Sequence, residues 1–150
     1  MRKPYKHYRF LFKQKTRSTY TAINELKAYT DRGKVGMNIM PTATMSSNGQ
    51  YNTQVAAYVN DNNSASFWES AKWAESNPNW LAAAFPEPVE ILKFEISSID
   101  YPNEKPENFD VQVSDDGIAW LTVLSIDPDF MIPNGPNTAE FDLWKGFTGY

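Results

Sequence analysis

The chain has 150 residues, which fits one domain with a sizeable core, and 15% of them are aromatic, which suits an all-β interior. Its net charge of −4 argues against nucleic acid or an anionic membrane as a partner. With no cysteines, disulfides and thiolate metal sites are excluded, and there is neither a signal-peptide core nor a long apolar run. We therefore expect a soluble domain made inside a cell, without membrane insertion.

The first third of the chain predicts strands separated by polar connections. Residues 1–7 are basic and are expected to form a loose arm ahead of a single domain over residues 8–150. From Tyr8 onward, aromatic residues alternate with others, which predicts a strand with one aromatic face. The segment 21–29 fits a helix or a strand by pattern alone. A short strand is expected near residues 35–40, followed by an irregular connection.

Residues 59–68 place an acidic residue, several small polar residues and a large aromatic pair within ten positions. Short polar side chains after Asp61 favour a tight turn, because they bond their own backbone and Asn tolerates positive φ. Crowded carboxylate, amide and carbonyl oxygens are also ligands that Ca²⁺ takes. The alternative is a plain surface loop that ends in a core strand, which is the commoner use of polar clusters.

The second half of the chain predicts further strands. Residues 69–79 indicate a surface excursion, and strands are expected over 80–85, 89–97, 109–113, 120–126 and 139–143. The Asp116-Gly117 pair predicts a hairpin between the third and fourth of these strands. Many short strands with turn signals between them indicate an antiparallel β-sandwich or jelly roll.

Three motifs resemble those of the discoidin, or coagulation-factor type C, superfamily. Asp61, Ser66 and Trp68 have the spacing of its Asp-Gly-Asn-x-x-Thr-x-Trp signature. Residues 80–89 are similar to its Trp-Leu-x-x-x-Phe-Gly-x-Pro-Val strand pair, and residues 114–120 to its Ser-x-Asp-Gly-x-x-Trp turn. The resemblance implies an antiparallel jelly-roll sandwich of the galactose-binding-domain type. It also implies one helical turn at residues 55–58, ahead of the Asp61 loop.

The order of the segments departs from the usual family arrangement. Tyr8-Arg9 and residues 23–26 resemble a strand pair that normally ends the domain, but here they stand at its beginning. The resemblance therefore implies a circularly permuted copy, which is plausible because domain termini often lie close together. Similar permuted domains occur in phage tail and other virion proteins. This association implies a virion location after synthesis in the host cytoplasm, with several copies of the domain contacting other virion subunits.

The resemblance also implies a structural Ca²⁺ ion held by side-chain and backbone oxygens from two segments. The implied ligands are Glu25, Val59, Asp61, Asn63 and Ser66. Two carboxylates with neutral oxygens match a hard cation. Asn62 stands where the family usually has Gly, and Ser66 where it usually has Thr. Alternatively, Asp61 caps the turn through hydrogen bonds and no ion binds.

The sequence favours binding over catalysis. His7 is the only histidine and precedes the first predicted strand, and no phosphate loop or histidine-based metal spacing is present. Many members of the superfamily bind glycans, and aromatic rings stack on the apolar faces of sugars. The predicted loops carry four candidate rings, Tyr51, Trp73, Tyr101 and Phe130. Their alternative role is packing beneath the loops.

We therefore expect a non-catalytic binding module of a phage tail or particle surface that recognises host cell-surface carbohydrate. The alternative is a purely structural virion protein that decorates or joins capsid or tail subunits, and a small hydrolase is a third, less favoured class. The aromatic residues Trp144, Phe147 and Tyr150 fit either a docking patch or packing beside the first strand.

Overall fold

The computed structural model describes residues 2–13, 18–98, 103–127, 130–132 and 135–144. Their regular structure consists of β-strands and two short 3₁₀ helices, Met40–Thr42 and Ala56–Asn60, which confirms the expected all-β class. The strands are β1 (Tyr5–Phe12), β2 (Ala22–Ile23), β3 (Glu25–Tyr29), β4 (Thr44–Ser47), β5 (Trp68–Glu69), β6 (Trp80–Val89), β7 (Lys93–Ser97), β8 (Phe109–Ser114), β9 (Leu121–Ile126) and β10 (Thr138–Asp142).

The strands form antiparallel sheets. The largest sheet has the order β4-β6-β1-β8-β9, a second has the order β10-β7-β3, and β2 pairs with β5 in a small third sheet. Strand β1 is central in the largest sheet, where Phe10 lies opposite Leu81 on one side and Val111 on the other. Because side chains alternate along a strand, this register turns the aromatic face of β1 towards the interior.

Aromatic rings join the two larger sheets into a sandwich. The Phe10 ring lies 5.1 Å from that of Phe94 on β7 and 4.9 Å from that of Phe109 on β8, measured between centroids. Phe141 on β10 contacts the same group, 5.7 Å from Phe94. Each such pair adds about 0.5–1.5 kcal/mol beyond the apolar area that it buries. The high aromatic content of the sequence is therefore used mainly in this core.

The first strand begins earlier than the sequence predicts. Residues 5–7, expected in a basic arm, belong to β1, and Tyr5 is buried. Trp144 explains this burial, because its ring stacks on Tyr5 at 6.2 Å and its indole N–H donates to the Ile91 carbonyl. Of the two roles expected for Trp144, the structure therefore shows packing beside the first strand. Phe147 and Tyr150 lie outside the described residues.

The prediction of a strand near residues 35–40 is wrong. The Asp31 carboxylate accepts hydrogen bonds from the backbone N–H groups of Val35 at 2.8 Å and Gly36 at 2.9 Å. These bonds fold the segment into a local loop, so its donors are not available to a strand ladder. Val35 and Met37 point into solvent, 92% and 81% exposed, and the next strand is β4.

Other local predictions are confirmed. The ambiguous segment 21–29 forms the strands β2 and β3, and a 3₁₀ helix at Ala56–Asn60 supplies the expected helical turn. The hairpin between β8 and β9 turns at Gly117, whose φ of +77° favours glycine. Asp116 fixes this turn by accepting hydrogen bonds from the N–H groups of Ile118 and Ala119, which lower the pKa of its carboxyl.

Candidate functional site

The two outer faces of the sandwich differ in chemistry. On the three-stranded sheet, ion pairs cover the surface: the Lys34 ammonium lies 3.0 Å from Glu95 and 2.8 Å from Glu140, and Lys93 lies 3.1 Å from Glu140. The outer face of the five-stranded sheet instead carries small and aromatic side chains around Arg9, which has no ion-pair partner among the described residues. The candidate site therefore lies on the five-stranded sheet.

Strand register aligns the side chains that floor this site. Arg9 lies opposite Ala82 on β6 and opposite Gln112 on β8, while Ala82 lies opposite Ser46 on β4. Residues that pair across strands point to the same face of the sheet. Ser46, Ala82, Arg9 and Gln112 therefore form one row on the outer face. In the adjacent row, His7 lies opposite Ala84.

Two tryptophans border this floor. Trp120, which directly precedes β9, places its ring centroid 4.3 Å from the Arg9 guanidinium carbon and meets the His7 ring edge-on at 6.4 Å. Trp80 lies at the start of β6. Between them is an open groove of about 310 Å³, which Asp116 and Gly117 also line. The small side chains of Ala82 and Ala84 leave the floor of the groove low.

Hydrogen bonds hold the arginine of the groove in place. Arg9 Nε donates to Gln112 Oε1 at 2.6 Å, and Gln112 Nε2 donates to Thr122 Oγ1 at 3.0 Å. Burial lowers the pKa of Arg9 below its ordinary value, because the cation has lost part of its surrounding water. Within the described residues, no carboxylate forms an ion pair with Arg9.

The predicted ion site forms a compact polar loop. Asn62 adopts a φ of +58°, Asp61 Oδ1 accepts from the Asn63 N–H at 3.0 Å, and Asp61 Oδ2 accepts from Ser66 Oγ at 2.6 Å. Asp61 thus caps its own turn. The same bonds bring Asn63 and Ser66 beside the Asp61 carboxylate, so three residues of the implied ligand set share one loop. Val59 lies in the 3₁₀ helix directly before this loop.

Glu25, on β3, faces this loop. Burial, and then the charge of the Asp61 carboxylate, raise the pKa of Glu25, and its Oε1 atom is buried without a hydrogen-bond partner. A small cavity of about 170 Å³ lies between Glu25 and Ser64. The side chain of Val59 is buried in the core, so only its carbonyl is available as a ligand. Among the described residues, no three His, Asp or Glu side chains cluster around a metal position.

These donors suit a hard cation better than a transition metal. Two carboxylates, carbonyl groups and a hydroxyl are oxygen ligands of the kind that Ca²⁺ prefers, and nitrogen or sulfur ligands are absent from the described part of this loop. The buried, unpaired Glu25 oxygen is an additional reason, because a cation would compensate it.

Two of the predicted sugar-binding aromatics, Tyr51 and Trp73, do not line the groove. Tyr51 is 46% exposed and its ring contacts Tyr20 edge-on at 5.6 Å. The Trp73 indole N–H donates to the Phe12 carbonyl at 3.0 Å. No ring contact or hydrogen bond between described residues joins Tyr51 to Trp73.

Of the remaining two candidates, only Phe130 lies within the described residues. Phe130 packs edge-on against Phe109 at 5.9 Å and Phe141 at 5.6 Å, which is the alternative role of packing beneath a loop. Tyr101 lies outside the described residues.

The sequence does contain a signal for the groove. In the run from Trp80 to Phe85, the residues Leu81, Ala83 and Phe85 face the interior, whereas Trp80, Ala82 and Ala84 alternate with them on the outer face, where Ala82 is only 9% exposed. An antiparallel strand with one face in water normally alternates apolar with polar residues. A strand that is apolar on both faces within a two-layer sandwich indicates that its outer face is covered or binds something.

The fold and the groove define an antiparallel β-sandwich domain of the ligand-binding kind. The model of the F5/8 type C domain matches residues 42–145, more than half of the chain, and the chain belongs to this family. Domains of this family are generally non-catalytic binding modules. Strands β1 to β3 precede the matched range, although β1 is central in the largest sheet; the circular permutation remains a prediction.

Two further comparisons complete this picture. No curated protein and no solved structure matches the chain. In the part of the chain that the structure describes, no helix has the length and apolar character needed to cross a membrane.

Proposed function

We propose that this domain is a non-catalytic carbohydrate-binding module and that sugar binds in the groove between Trp80 and Trp120. One observation carries the proposal: a low floor of Ala82 and Ala84 lies between aromatic rings on an otherwise solvent-facing sheet. Tryptophan faces pack against the apolar faces of sugar rings, while the nearby polar groups of His7 and Arg9 offer partners for hydroxyls. Small-molecule sites commonly combine an apolar concave surface with a few such polar groups.

The carboxyl groups of the groove support binding over hydrolysis. Glycoside hydrolases place two carboxyl groups on either side of the bond that breaks. Among the described residues that line the groove, only Asp116 carries a carboxyl group, and its Oδ1 atom already accepts bonds from the hairpin backbone.

We place this module on a phage tail or particle surface, where several copies face host cell-surface carbohydrate. The support for this setting is the resemblance in segment order to permuted virion domains. Because single sugar sites bind weakly, display in several copies on one particle would supply the needed avidity. Other virion subunits would then be its protein partners, after synthesis in the host cytoplasm.

The second candidate function is a purely structural virion protein. The observation that favours it is exposed apolar side chains on loops: Val35 is 92%, Met37 81% and Ile118 83% exposed. Large apolar groups in solvent often mark surfaces that a neighbouring subunit covers. This function predicts stable assembly with other subunits and no sugar binding.

We also propose that a structural Ca²⁺ joins Glu25 on β3 to the Asp61 loop, with the Val59 and Asn63 carbonyls and Ser66 completing the ligands. The buried, unpaired Glu25 oxygen supports this. Such an ion would neutralise two nearby carboxylates and fix the loop against the sheet. Its contribution is to stability, since the loop residues do not line the groove.

Binding of the full chain, clustered on a surface, to a broad glycan panel tests the main proposal. Trp80→Ala should weaken binding at least about fivefold, because the ring supplies stacking and apolar contact. Tyr51→Ala removes an exposed loop aromatic and serves as the matched control, which should bind as the wild type does. Loss of binding in Tyr51→Ala alone would place the site on the loops, and no binding to any glycan would favour the structural function.

A further inference from the structure

We infer that the groove selects an acidic sugar, and that Arg9 recognises its carboxylate. This inference rests on the proposed carbohydrate-binding function and names its ligand class: a saccharide that carries a uronate-type or sialate-type carboxylate. It follows from the position of Arg9, from the absence of a counter-ion for Arg9 among the described residues, and from the hydrogen bonds that already occupy the Asp116 carboxylate.

The guanidinium of Arg9 is fixed before any ligand arrives. Its Nε–H donates to Gln112 at 2.6 Å, and its central carbon lies 4.3 Å from the centroid of the Trp120 ring. Gln112 is itself only 8% exposed and is held by Thr122. An arginine has five N–H donors, and the bond to Gln112 uses one of them. The four donors on the two Nη atoms are available to a ligand in the groove.

Arg9 differs in charge pairing from Lys3 and Lys13, which lie on either side of its strand. Lys13 pairs with Asp110 at 2.9 Å, and Lys3 pairs with Asp115 at 2.9 Å. No described carboxylate pairs with Arg9. A half-buried cation without a counter-ion has lost part of its hydration, and its lowered pKa reflects that loss. An anionic ligand would compensate it.

The shape of the available donors favours a carboxylate. Guanidinium and carboxylate groups are both planar, and they form two parallel hydrogen bonds that are stronger than bonds between neutral groups. The Trp120 ring lies 4.3 Å from the guanidinium carbon, so a carboxylate bound to Arg9 would leave the sugar ring beside the tryptophan.

Asp116 does not cancel this preference. Its Oδ1 atom accepts from Ser114 Oγ at 3.0 Å, from the Ile118 N–H at 2.8 Å and from the Ala119 N–H at 3.0 Å. Three donors thus stabilise its negative charge at the hairpin turn. The turn lies beside His7, since a Cβ atom on Gly117 would come 3.2 Å from the imidazole Cε1. A neutral hydroxyl of the sugar suits this end of the groove, and the carboxylate suits the Arg9 end.

The test compares an acidic oligosaccharide with its carboxyl-reduced counterpart, in which a neutral hydroxymethyl group replaces the carboxylate. The wild-type chain should bind the acidic form at least about tenfold more tightly, the value of one charge-assisted hydrogen bond. Arg9→Gln should remove this preference, so that the variant binds the acidic and the reduced forms equally within about twofold. Lys6→Gln removes an equal charge from an exposed position on the same strand and should keep the preference within about twofold.

The outcomes separate this inference from the proposed function. Equal binding of the acidic and reduced forms overturns the inference and leaves carbohydrate binding standing. Tighter binding of a sulfated glycan without carboxylates also overturns the assignment of a carboxylate. No binding of acidic, reduced or neutral glycans overturns both. Because the ligand comparison uses the unaltered chain, a folding defect in Arg9→Gln would not decide the result.

Discussion

Replacing Glu69 by Gln should stabilise the domain at alkaline pH and leave its stability at acidic pH unchanged. Glu69 ends the short strand β5, where its side chain faces Glu104. Burial, followed by a hydrogen bond to Glu104 and the charge of that carboxylate, raises the pKa of Glu69 from 4.5 to about 7. The folded chain therefore holds a proton between these two pH values that the unfolded chain has released.

The sign and size of the effect follow from proton linkage. Where the unfolded state binds fewer protons than the folded state, stability falls as the pH rises, here from about 4.5 to about 7. If Glu69 were fully buried, this rise in its pKa would lower the free energy of unfolding above pH 7 by about 3.4 kcal/mol. Glu69 is only half-buried, so screening by water reduces the cost to about 1 kcal/mol. Gln keeps the hydrogen bond to Glu104 and removes the charge, and should recover that amount.

Thermal unfolding at pH 5 and at pH 8 measures the effect. The midpoint of Glu69→Gln should exceed that of the wild type by about 2–4 °C at pH 8 and should equal it within error at pH 5. Glu75→Gln, at an exposed position, controls for the change in net charge and should show no such difference. An equal gain at both pH values, or a lower midpoint at pH 8, would refute the linkage argument.

Two further predictions concern the ion loop and the hairpin. If Ca²⁺ binds as proposed, a Ca²⁺ concentration of a hundred times the dissociation constant should raise the melting midpoint by about 5–10 °C. Glu25→Gln should abolish this rise. An undiminished rise in that variant would contradict the ligand assignment. Gly117→Ala forces alanine into positive φ against His7 and should lower the midpoint by about 2–8 °C. Gly33→Ala, whose added Cβ would meet its nearest neighbours at an ordinary contact distance of 3.6 Å, should not lower the midpoint, and equal losses in both variants would contradict the turn argument.

Much of the fold is predictable from the sequence because it depends on local patterns. Alternation in β1 and β8, the Asp116-Gly117 turn and the loop after Asp61 all depend on residues close together in the chain. The strand expected near residues 35–40 failed for a reason of the same scale. The segment matched a strand pattern, but the Asp31 carboxylate accepts hydrogen bonds from the N–H groups of Val35 and Gly36. These groups are therefore not available to pair with a neighbouring strand.

The groove is harder to predict because strand register creates it. Arg9, Ala82 and Gln112 are far apart in the sequence and meet only when β1 pairs with β6 and β8 in the observed register. Two of the lining residues, Trp80 and Trp120, lie within the motifs that identify the family, but the motifs do not show which way the rings point. The loop aromatics were chosen instead because loops commonly carry binding residues.

The most direct test of sugar binding in the groove is nuclear magnetic resonance of the tryptophan indole N–H groups. Their signals are followed while a sugar that the domain binds is titrated in. Of the five tryptophans, Trp68, Trp73 and Trp144 donate their indole N–H to backbone carbonyls. The other two, Trp80 and Trp120, line the groove. Binding in the groove predicts that these two signals shift while the other three stay in place. Movement of the Trp73 signal alone, with the Trp80 and Trp120 signals unchanged, would contradict the account.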